Sequence, residues 1–367
     1  MRLATRMARG PELAGWLRLT LTPGLGSATL RRLLKEFGLP ERVLAARRAE
    51  LARHVAAEAL DALHSPAVTE ATERALAWLA APGRELLTLA DTAYPRLLLE
   101  IPDPPPVLYC RGRTELLASA ALAIVGSRNA TAQGRRDAES FARAFSAAGI
   151  TIVSGLAQGI DAAAHRGALA GPGSTIAILG TGADLVYPVA NAALAEQIAA
   201  RGLVASEFPL GTPAHAHNFP RRNRLISGLA RGCLVIEAAI GSGSLITARI
   251  AAEQGREVFA LPGSIHSPLS KGCHALIKSG AKLVESAEDV FAELPQLRAG
   301  GAEERPAPAA AADDGPLLAH MGFEPIDVDS LCERAGLAAE RVAAELLRLE
   351  LAGRVAVLPG GLYQRLS

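Results

Sequence analysis

The stretch ALAIVGSRNATAQGRRDAESFARAFSAAGITIVSGLAQGID, residues 121–161, gives the clearest indication of the fold class of this chain. It contains two short apolar runs, LAIVG at 122–126 and ITIVS at 150–154, with an amphipathic segment between them. Continuous apolar runs of this length are typical of strands that are buried on both faces, and a helical segment between two of them indicates a parallel βαβ unit. We therefore predict a parallel sheet that is covered by helices on both faces.

The same alternation continues downstream of this stretch. Apolar runs follow at 175–180, 203–206, 233–237 and 257–261, and a shorter one closes the series at 281–284. Amphipathic helical segments separate most of these runs. Right-handed crossovers between such strands produce a doubly wound sheet. The predicted fold class is α/β, with a Rossmann-like, mostly parallel core whose strands begin at residue 121.

The segments on either side of this core differ from it in composition. Residues 1–90 have apolar positions at helical spacing and predict a helical domain. Within them, Pro23-Gly24-Leu25-Gly26 separates two helical stretches, as in a helix-hairpin-helix element; a plain helical hairpin with a glycine turn fits the pattern equally well. Residues 91–298 are predicted to hold the core and, before it, an extended connector that contains the proline-rich run at 101–106.

The C-terminal part of the chain predicts a separate small domain. Residues 299–315 are a low-complexity stretch and predict a flexible linker. In 316–367, two helices at 326–336 and 338–353 precede a hairpin at 354–366, which is the pattern of a winged-helix domain. Such domains often bind DNA, but the charge of residues 291–367 is 7 − 12 = −5, and this acidic balance fits a protein contact at least as well.

Composition excludes several classes of protein. No apolar run approaches the ~20 residues that span a bilayer, and the basic start lacks the apolar segment of a signal peptide. The four cysteines form no CxxC pair, which favours a reducing cytoplasm over a disulfide framework or a zinc site. His215 and His217 would supply only two ligands, so no metal is expected. With a net charge of +1, any nucleic-acid site must be a local cluster.

Gly126, Ser127 and Arg128 end the first core strand, and Gly134 follows near the start of a helix. A strand, a glycine turn and a helix N-terminus can form an anion site, because backbone N–H groups and the helix dipole both favour a phosphate. The glycines do not match GxGxxG, so the dinucleotide fingerprint is absent. Arg128 adds a planar donor fork, which suits a nucleic-acid phosphate better than an NAD pyrophosphate.

The second core strand ends at Ser154, and Gly155 and Gly159 follow it. These residues are expected beside the first loop, at the carboxyl edge where ligands bind in this fold. Asp161 and His165 lie four residues apart on one helix face. They could act as an acid–base pair, but no nucleophile accompanies them, so a structural role, with Asp161 as a helix cap, is favoured.

The run FPRRNR at 219–224 is the most distinctive cluster. Three arginines beside an aromatic ring combine phosphate neutralisation with a stacking surface for bases. The candidate binding residues are Phe219, Arg221, Arg222, Asn223 and Arg224. We expect at least one of the three arginines to pair with a core carboxylate such as Glu207 or Glu237. A further donor loop, with Gly243 and Ser244, follows the strand at 233–237 and supports an elongated polyanion site.

Taken in order, these segments resemble the DprA (Smf) family. The matching runs are GSR (126–128), SGLAQGID (154–161), ILGTGADLVYP (178–188), SEFPLG (206–211), FPRRNRLISGL (219–229), GSLITARIAAEQGREVFALPG (243–263) and GCHALIKSGAKLV (272–284). The resemblance implies a cytoplasmic protein without cofactor that binds and protects incoming single-stranded DNA during natural transformation. It also implies a homodimer formed through the Rossmann-like core, and a partnership with the RecA recombinase, which the protein loads onto the strand.

The resemblance also assigns residues. Arg128 matches the DNA-contacting arginine of the family, and residues 221–224 match its basic pocket. Family members often carry a lysine shortly before this run, whereas here residues 213–218 read PAHAHN; the histidines could replace it in part, or affinity could be lower. The alternative is a phosphoribohydrolase of the LOG type, but the PGGxGT loop of that enzyme is missing, so we expect a binding protein and not an enzyme.

Overall fold

The computed structural model describes residues 10–297, 317–321, 326–352, 354–358 and 360–365. Helices form the first part of the chain. They are α1 (Gly10–Leu21), α2 (Ser27–Phe37), α3 (Pro40–Ala45), α4 (Arg48–Leu51), α5 (Ala57–Leu63) and α6 (Pro66–Leu79). Residues 23–26 form the turn between α1 and α2, so a glycine turn separates these two helices.

Strands and helices alternate through the middle of the chain. The strands are β1 (Arg84–Thr88), β2 (Val107–Gly112), β3 (Ala121–Gly126), β4 (Thr151–Ser154), β5 (Thr175–Ile178), β6 (Leu203–Ser206), β7 (Gly232–Ile236), β8 (Glu257–Ala260) and β9 (Lys282–Leu283). The helices are α7 (Arg96–Leu99), α8 (Ala132–Ala147), α9 (Ile160–Ala168), α10 (Ala192–Arg201), α11 (Asn218–Gly228), α12 (Gly243–Glu253), α13 (Lys271–Lys278) and α14 (Ala287–Glu293). Short 3-10 turns add Thr114–Ala118, Val189–Asn191, Pro268–Ser270 and Pro295–Leu297.

Within the described residues, the strands form one sheet in the order β1-β2-β6-β5-β4-β3-β7-β8-β9. All pairings from β6 to β9 are parallel. The chain moves outward from β3 to β6 on one side and then continues from β7 to β9 on the other. This is a doubly wound arrangement, so the predicted Rossmann-like fold is confirmed.

Strand β3 shows why this sheet needs helices on both faces. Its alternate residues Ala121, Ala123 and Val125 belong to a core cluster that includes the N-terminal helices, while Leu122 and Ile124 belong to the cluster on the opposite face. Because side chains along a strand alternate between the two faces, a continuous apolar run is stable only where both faces are covered. The N-terminal helices therefore share one apolar core with the sheet.

Two strands at the edge of the sheet were not predicted from the sequence. β1 and β2 pair with each other, and β2 pairs with β6, in both cases antiparallel. They extend the sheet into the region expected to be helical and into the expected connector. The proline-rich run lies between them, where prolines do not interrupt a hydrogen-bonded ladder.

The C-terminal domain contains β10 (Ile326–Asp327), α15 (Val328–Ala335), α16 (Ala339–Leu351), β11 (Val355–Leu358) and β12 (Leu362–Arg365), preceded by the 3-10 turn Leu318–His320. The predicted helix pair and hairpin are confirmed. The first helix begins later than predicted because Asp327 caps it by accepting a hydrogen bond from the Ser330 N–H (2.8 Å), while Ile326 pairs with Tyr363 in β12. The predicted linker at 299–315 lies outside the described residues.

Two further features bear on the class of protein. None of the helices in the described ranges combines the length and the apolar character that a membrane crossing requires. All four cysteines are free; Cys110, Cys233 and Cys273 are buried in the sheet region, and Cys332 is partly buried. Burial raises the pKa of the Cys273 thiol to about 11 and that of Cys233 to about 12, so neither is a ready nucleophile.

Candidate nucleic-acid interface

The carboxyl ends of the parallel strands β3, β4, β5 and β7 meet at one edge of the sheet, and α11 packs against β4 and β5 beside them. A pocket of about 140 Å³ lies at this edge. We call it the platform pocket; it is lined by Arg128, Gly155, Ala157, Gln158, Tyr187, Pro188, Phe219 and Arg222. The fold thus brings together four of the predicted binding residues from three separate parts of the chain.

The ring of Phe219 is the centre of the platform pocket. The guanidinium carbon of Arg128 lies 5.6 Å from the ring centroid, and that of Arg222 lies 6.0 Å from it. The ring of Tyr187 is 5.6 Å away and tilted by 41°. Gly180 makes room for this arrangement, because a Cβ at that position would lie 2.8 Å from the Phe219 ring.

Arg128 is the exposed cation of this pocket. Its side chain lies on the surface, and among the described residues it makes no ion pair and no hydrogen bond. Aromatic faces attract guanidinium groups, so Phe219 can orient the group without neutralising its charge. Arg128 therefore remains able to pair with an anion from solution.

Arg222 has the opposite environment, with only 4% of its surface exposed. Its Nη1 donates to the Gly155 carbonyl (2.7 Å) and to the Ile178 carbonyl, and its Nε donates to Asn223 Oδ1 (3.3 Å). Burial lowers its pKa, with Asp161 opposing that effect, and the guanidinium stays charged at neutral pH. Arg222 thus holds the loop after β4 against the end of β5.

The loop at 155–157 is fixed by hydrogen bonds on several sides. Asp161 Oδ2 accepts from the N–H groups of Gly155 (3.1 Å) and Ala157 (3.3 Å), and Asn191 Nδ2 donates to the Leu156 carbonyl (2.9 Å). Asp161 was expected to have a structural role as a helix cap; it is the second residue of α9, and its carboxylate accepts from the loop before the helix and not from the first turn of α9. Burial raises the pKa of this carboxyl, against the effect of Arg222.

His165 is completely buried and also holds this loop. Its Nε2 accepts from the Leu156 N–H (3.3 Å), and its Nδ1 lies 2.7 Å from Thr175 Oγ1. Because the Thr175 hydroxyl donates to the Ile152 carbonyl (2.6 Å), Nδ1 must carry the proton and Nε2 must be the acceptor. Burial lowers the pKa of His165 to about 3, so the ring is neutral and has a structural role.

The turn after β3 is not an empty anion cradle. Glu237, which has a left-handed backbone (φ 52°), directs its carboxylate to the start of α8 and accepts from the N–H (2.8 Å) and the hydroxyl of Thr131. Thr131 in turn caps α8 by accepting from the Gly134 N–H (2.9 Å). The protein's own carboxylate therefore occupies the place that the sequence suggested for a phosphate.

The loops after β3 and β4 pack closely together at Gly126, Ser127 and Gly159. A Cβ on Gly126 would lie 1.9 Å from the Ile236 carbonyl, and a Cβ on Gly159 would lie 2.2 Å from the Ser127 carbonyl. Ser127 and Ser154 are buried, and the Ser154 hydroxyl donates to the Ile124 carbonyl (2.6 Å). These predicted site residues shape the edge of the sheet.

Arg221 and Arg224 face away from the platform pocket, toward Glu207. The Glu207 side chain is 2% exposed. Its carboxylate pairs with the guanidinium group of Arg224 and with that of Arg221, the latter at 3.0 Å. Arg224 also pairs with Asp103 (3.2 Å), while Arg221 remains about half exposed. The expectation that one arginine of the run pairs with a core carboxylate is confirmed, and Glu207 engages two of them.

Three other predicted groups lie around this edge. Asn223 Nδ2 donates to the Gly243 carbonyl (3.5 Å), which links α11 to the start of α12, and the hydroxyls of Ser242 and Ser244 are 2.5 Å apart. The rings of His215 and His217 stack 5.4 Å apart at the start of α11. Across the described ranges, no group of three metal-ligating side chains occurs.

Tyr187, Gln158 and the contact of Glu237 with Thr131 were not predicted from the sequence. Tyr187 is 49% exposed, which is a large exposure for an aromatic side chain. It belongs to the run ILGTGADLVYP that carries the family resemblance, and this was the signal that could have identified it. Glu237 could not be assigned because β7 and β3 are neighbours only in the folded sheet.

Comparisons with known proteins agree with this architecture. The family model described as DNA recombination-mediator protein A matches residues 85–295, and the one described as DprA winged helix domain matches residues 301–361. Protein Smf of Escherichia coli K12 is 45% identical over 303 residues, which are 80% of each chain. Protein Smf of Synechocystis is 38% identical, over 96% of this chain and 99% of its own length.

Solved structures give the same result. The structure of DNA processing protein A from Streptococcus pneumoniae matches with a TM-score of 0.62 and 38% identity, over 76% of this chain and 97% of that one. The protein of the same name from Helicobacter pylori matches with a TM-score of 0.53 and 30% identity, over 58% of this chain and 96% of that one. On these grounds, the chain belongs to the DprA (Smf) family of DNA processing proteins.

Proposed function

We propose that the chain binds single-stranded DNA at the platform pocket, where Arg128 pairs with a phosphate and Phe219 stacks on a base. The observation that carries this proposal is the exposed guanidinium of Arg128, which no carboxylate neutralises among the described residues and which lies 5.6 Å from the Phe219 ring. Stacking on an aromatic ring contributes about 1–3 kcal/mol per base and tolerates any sequence. Tyr187 provides a second ring beside the first.

The relatives support the choice of ligand. The study of the Helicobacter pylori protein concerns its single-stranded DNA binding mode, and the relatives from Streptococcus pneumoniae and Bacillus subtilis are named DNA processing protein DprA. From the family resemblance, we extend the proposal to protection of incoming DNA in the cytoplasm and loading of RecA during transformation. An assay of RecA filament assembly on protein-coated single strands tests this extension.

The proposal includes dimerisation through the Rossmann-like core. Ile240, Ile246 and Ile265 are exposed in the segments that follow β7 and β8. A contiguous apolar surface formed by such residues would mark an interaction site. Light scattering on the protein and on an Ile265→Asp variant measures whether this surface joins two copies.

Arg128→Glu tests the binding site itself. We expect it to abolish binding of an oligothymidylate while the melting temperature stays close to wild type, because Arg128 is exposed and makes no ion pair within the described residues. Arg143→Glu is the matched control, since Arg143 is an exposed arginine on α8 whose one ion pair within the described ranges is with Glu139. Unchanged affinity in Arg128→Glu would refute the proposed contact.

We also propose that this edge binds without covalent chemistry. Asp161 and His165 are both buried and hold the loop at 155–157, and Glu237 holds Thr131, the cap of α8, so each of these groups already makes structural contacts. Incubation with nucleoside monophosphates should therefore release no free base. Release that follows the purified protein through its purification would support the hydrolase alternative.

A further inference from the structure

Arg222 and Phe219 lie one helical turn apart in the first part of α11, and both side chains line the platform pocket. Their surroundings explain why they occur together. Arg222 Nη1 and Nε donate to groups inside the protein, at Gly155, Ile178 and Asn223. The guanidinium is thus anchored to the ends of β4 and β5 before any ligand arrives.

Gly155 is held from two sides by opposite charges. Arg222 donates to its carbonyl (2.7 Å), and Asp161 accepts from its N–H (3.1 Å). A Cβ on Gly155 would lie 2.7 Å from Arg222 Nη2, so only glycine lets the guanidinium lie this close to the backbone. The next residue, Leu156, has a left-handed backbone (φ 58°), which persists only where its surroundings enforce it.

We infer that Arg222 is a positioning residue for DNA binding: it locks the loop at 155–157 against α11 so that the Phe219 ring faces the same pocket as Arg128. In this role Arg222 acts on the strand through the ring and does not neutralise a phosphate. The inference rests on the proposed single-stranded DNA binding. It assigns different roles to the two arginines that line the platform pocket: Arg128 contacts the DNA, and Arg222 holds the loop and the Phe219 ring in position.

The test is a titration of the full chain with an oligothymidylate that carries one 2-aminopurine, whose fluorescence reports stacking, at several salt concentrations. Arg222→Lys keeps the positive charge but loses the planar set of guanidinium N–H donors. Gly155→Ala displaces the guanidinium of Arg222 without removing any charge. We expect each variant to lose affinity about tenfold or more together with the stacking signal, while the slope of log affinity against log salt stays as in wild type.

Arg128→Gln in the same assay should lower that slope by about 0.7, which is the value for one phosphate contact on a single strand. Arg222→Gln should leave the slope unchanged. The inference is overturned if Arg222→Gln lowers the slope as Arg128→Gln does, because Arg222 would then contact phosphate. It is equally overturned if folded Arg222→Lys binds and stacks as wild type, because Arg222 would then be structural only.

A measurement on the wild-type protein covers the case in which these variants do not fold. The Nε–H of Arg222 should exchange slowly with solvent in the free protein and keep its resonance when DNA is added, while the Arg128 resonance shifts. A shift of Arg222 as large as that of Arg128 would contradict the positioning role. Failure of the wild-type protein to bind the oligonucleotide at all would instead refute the proposed function.

Discussion

At the scale of single residues, the platform pocket depends on which charges the protein has already compensated. Glu207 pairs with Arg221 and Arg224, Glu237 holds Thr131 at the start of α8, and Arg222 donates to backbone carbonyls. Arg128 alone, of the cations discussed at this edge, lies on the surface without an ion pair in the described structure. The arginines at this edge therefore have different roles. The role of each arginine depends on where it lies relative to the buried carboxylates.

His165 should make the free energy of unfolding depend on pH in the acid range. Its pKa is lowered to about 3 in the folded protein, against about 6.5 for an unperturbed histidine. Between these two values the unfolded chain binds more protons than the folded one, so the free energy of unfolding should fall with decreasing pH by up to about 1.4 kcal/mol per pH unit. Above pH 6.5 this residue contributes no pH dependence.

Urea unfolding of wild type and His165→Gln between pH 7 and pH 4 measures this contribution. The variant is expected to be less stable at pH 7, because it disturbs the bonds to Leu156 and Thr175. Its stability should nevertheless depend less steeply on pH than that of wild type. Equal slopes in both proteins would mean that His165 does not titrate as the structure implies.

At the scale of elements, α11 and the loops after β4 and β5 pack together, so that a change in one should displace the others. Gly180→Ala tests this, because the new Cβ would lie 2.8 Å from the Phe219 ring and the ring would have to move. We expect a loss of about 1–3 kcal/mol in the free energy of unfolding, as for other overpacked sites, and weaker binding of single strands. Gly10→Ala is the control, since no atom of the described residues lies within 4 Å of its added Cβ. Unaltered binding by Gly180→Ala would show that the ring position is not critical.

The elements that sequence periodicity predicts are those that are buried on both faces. LAIVG, ITIVS and CLVIE give a pattern that only a covered parallel strand satisfies, and β3, β4 and β7 follow from it. β1 and β2 lie at the antiparallel edge, so their patterns are weaker. The sequence identified Arg128 and Phe219 as candidate binding residues, whereas the buried partners of Arg222 and Arg224 depend on contacts between distant segments.

At the scale of the whole molecule, one apolar cluster runs from the N-terminal helices into the sheet, with Trp16 and Leu34 at one end and Ala123 and Val153 at the other. The C-terminal domain has its own separate cluster around Leu331 and Leu346. Because the first cluster is continuous, the helical region and the sheet should unfold together.

Denaturant unfolding checks this continuity. The chain has two tryptophans, Trp16 and Trp78, and both lie in the N-terminal helices. Trp16 reports the helical region, whereas Trp78 also contacts Tyr109 of β2, with ring centroids 6.1 Å apart. The fluorescence transition should coincide with the main circular-dichroism transition of the sheet. Leu34→Ala in α2 should shift both transitions together and lower the free energy of unfolding by about 2–5 kcal/mol. Two separate transitions would indicate that the helices form an independent unit.

If Arg128 and the Phe219 ring bind a single strand through its backbone, affinity must depend on salt. The affinity of the wild-type protein for an oligothymidylate across a range of salt concentrations measures this. We predict that log affinity falls linearly with log salt, by about 0.7 per phosphate contact. An affinity that does not change with salt, or no measurable binding at low salt, would refute backbone binding at this pocket.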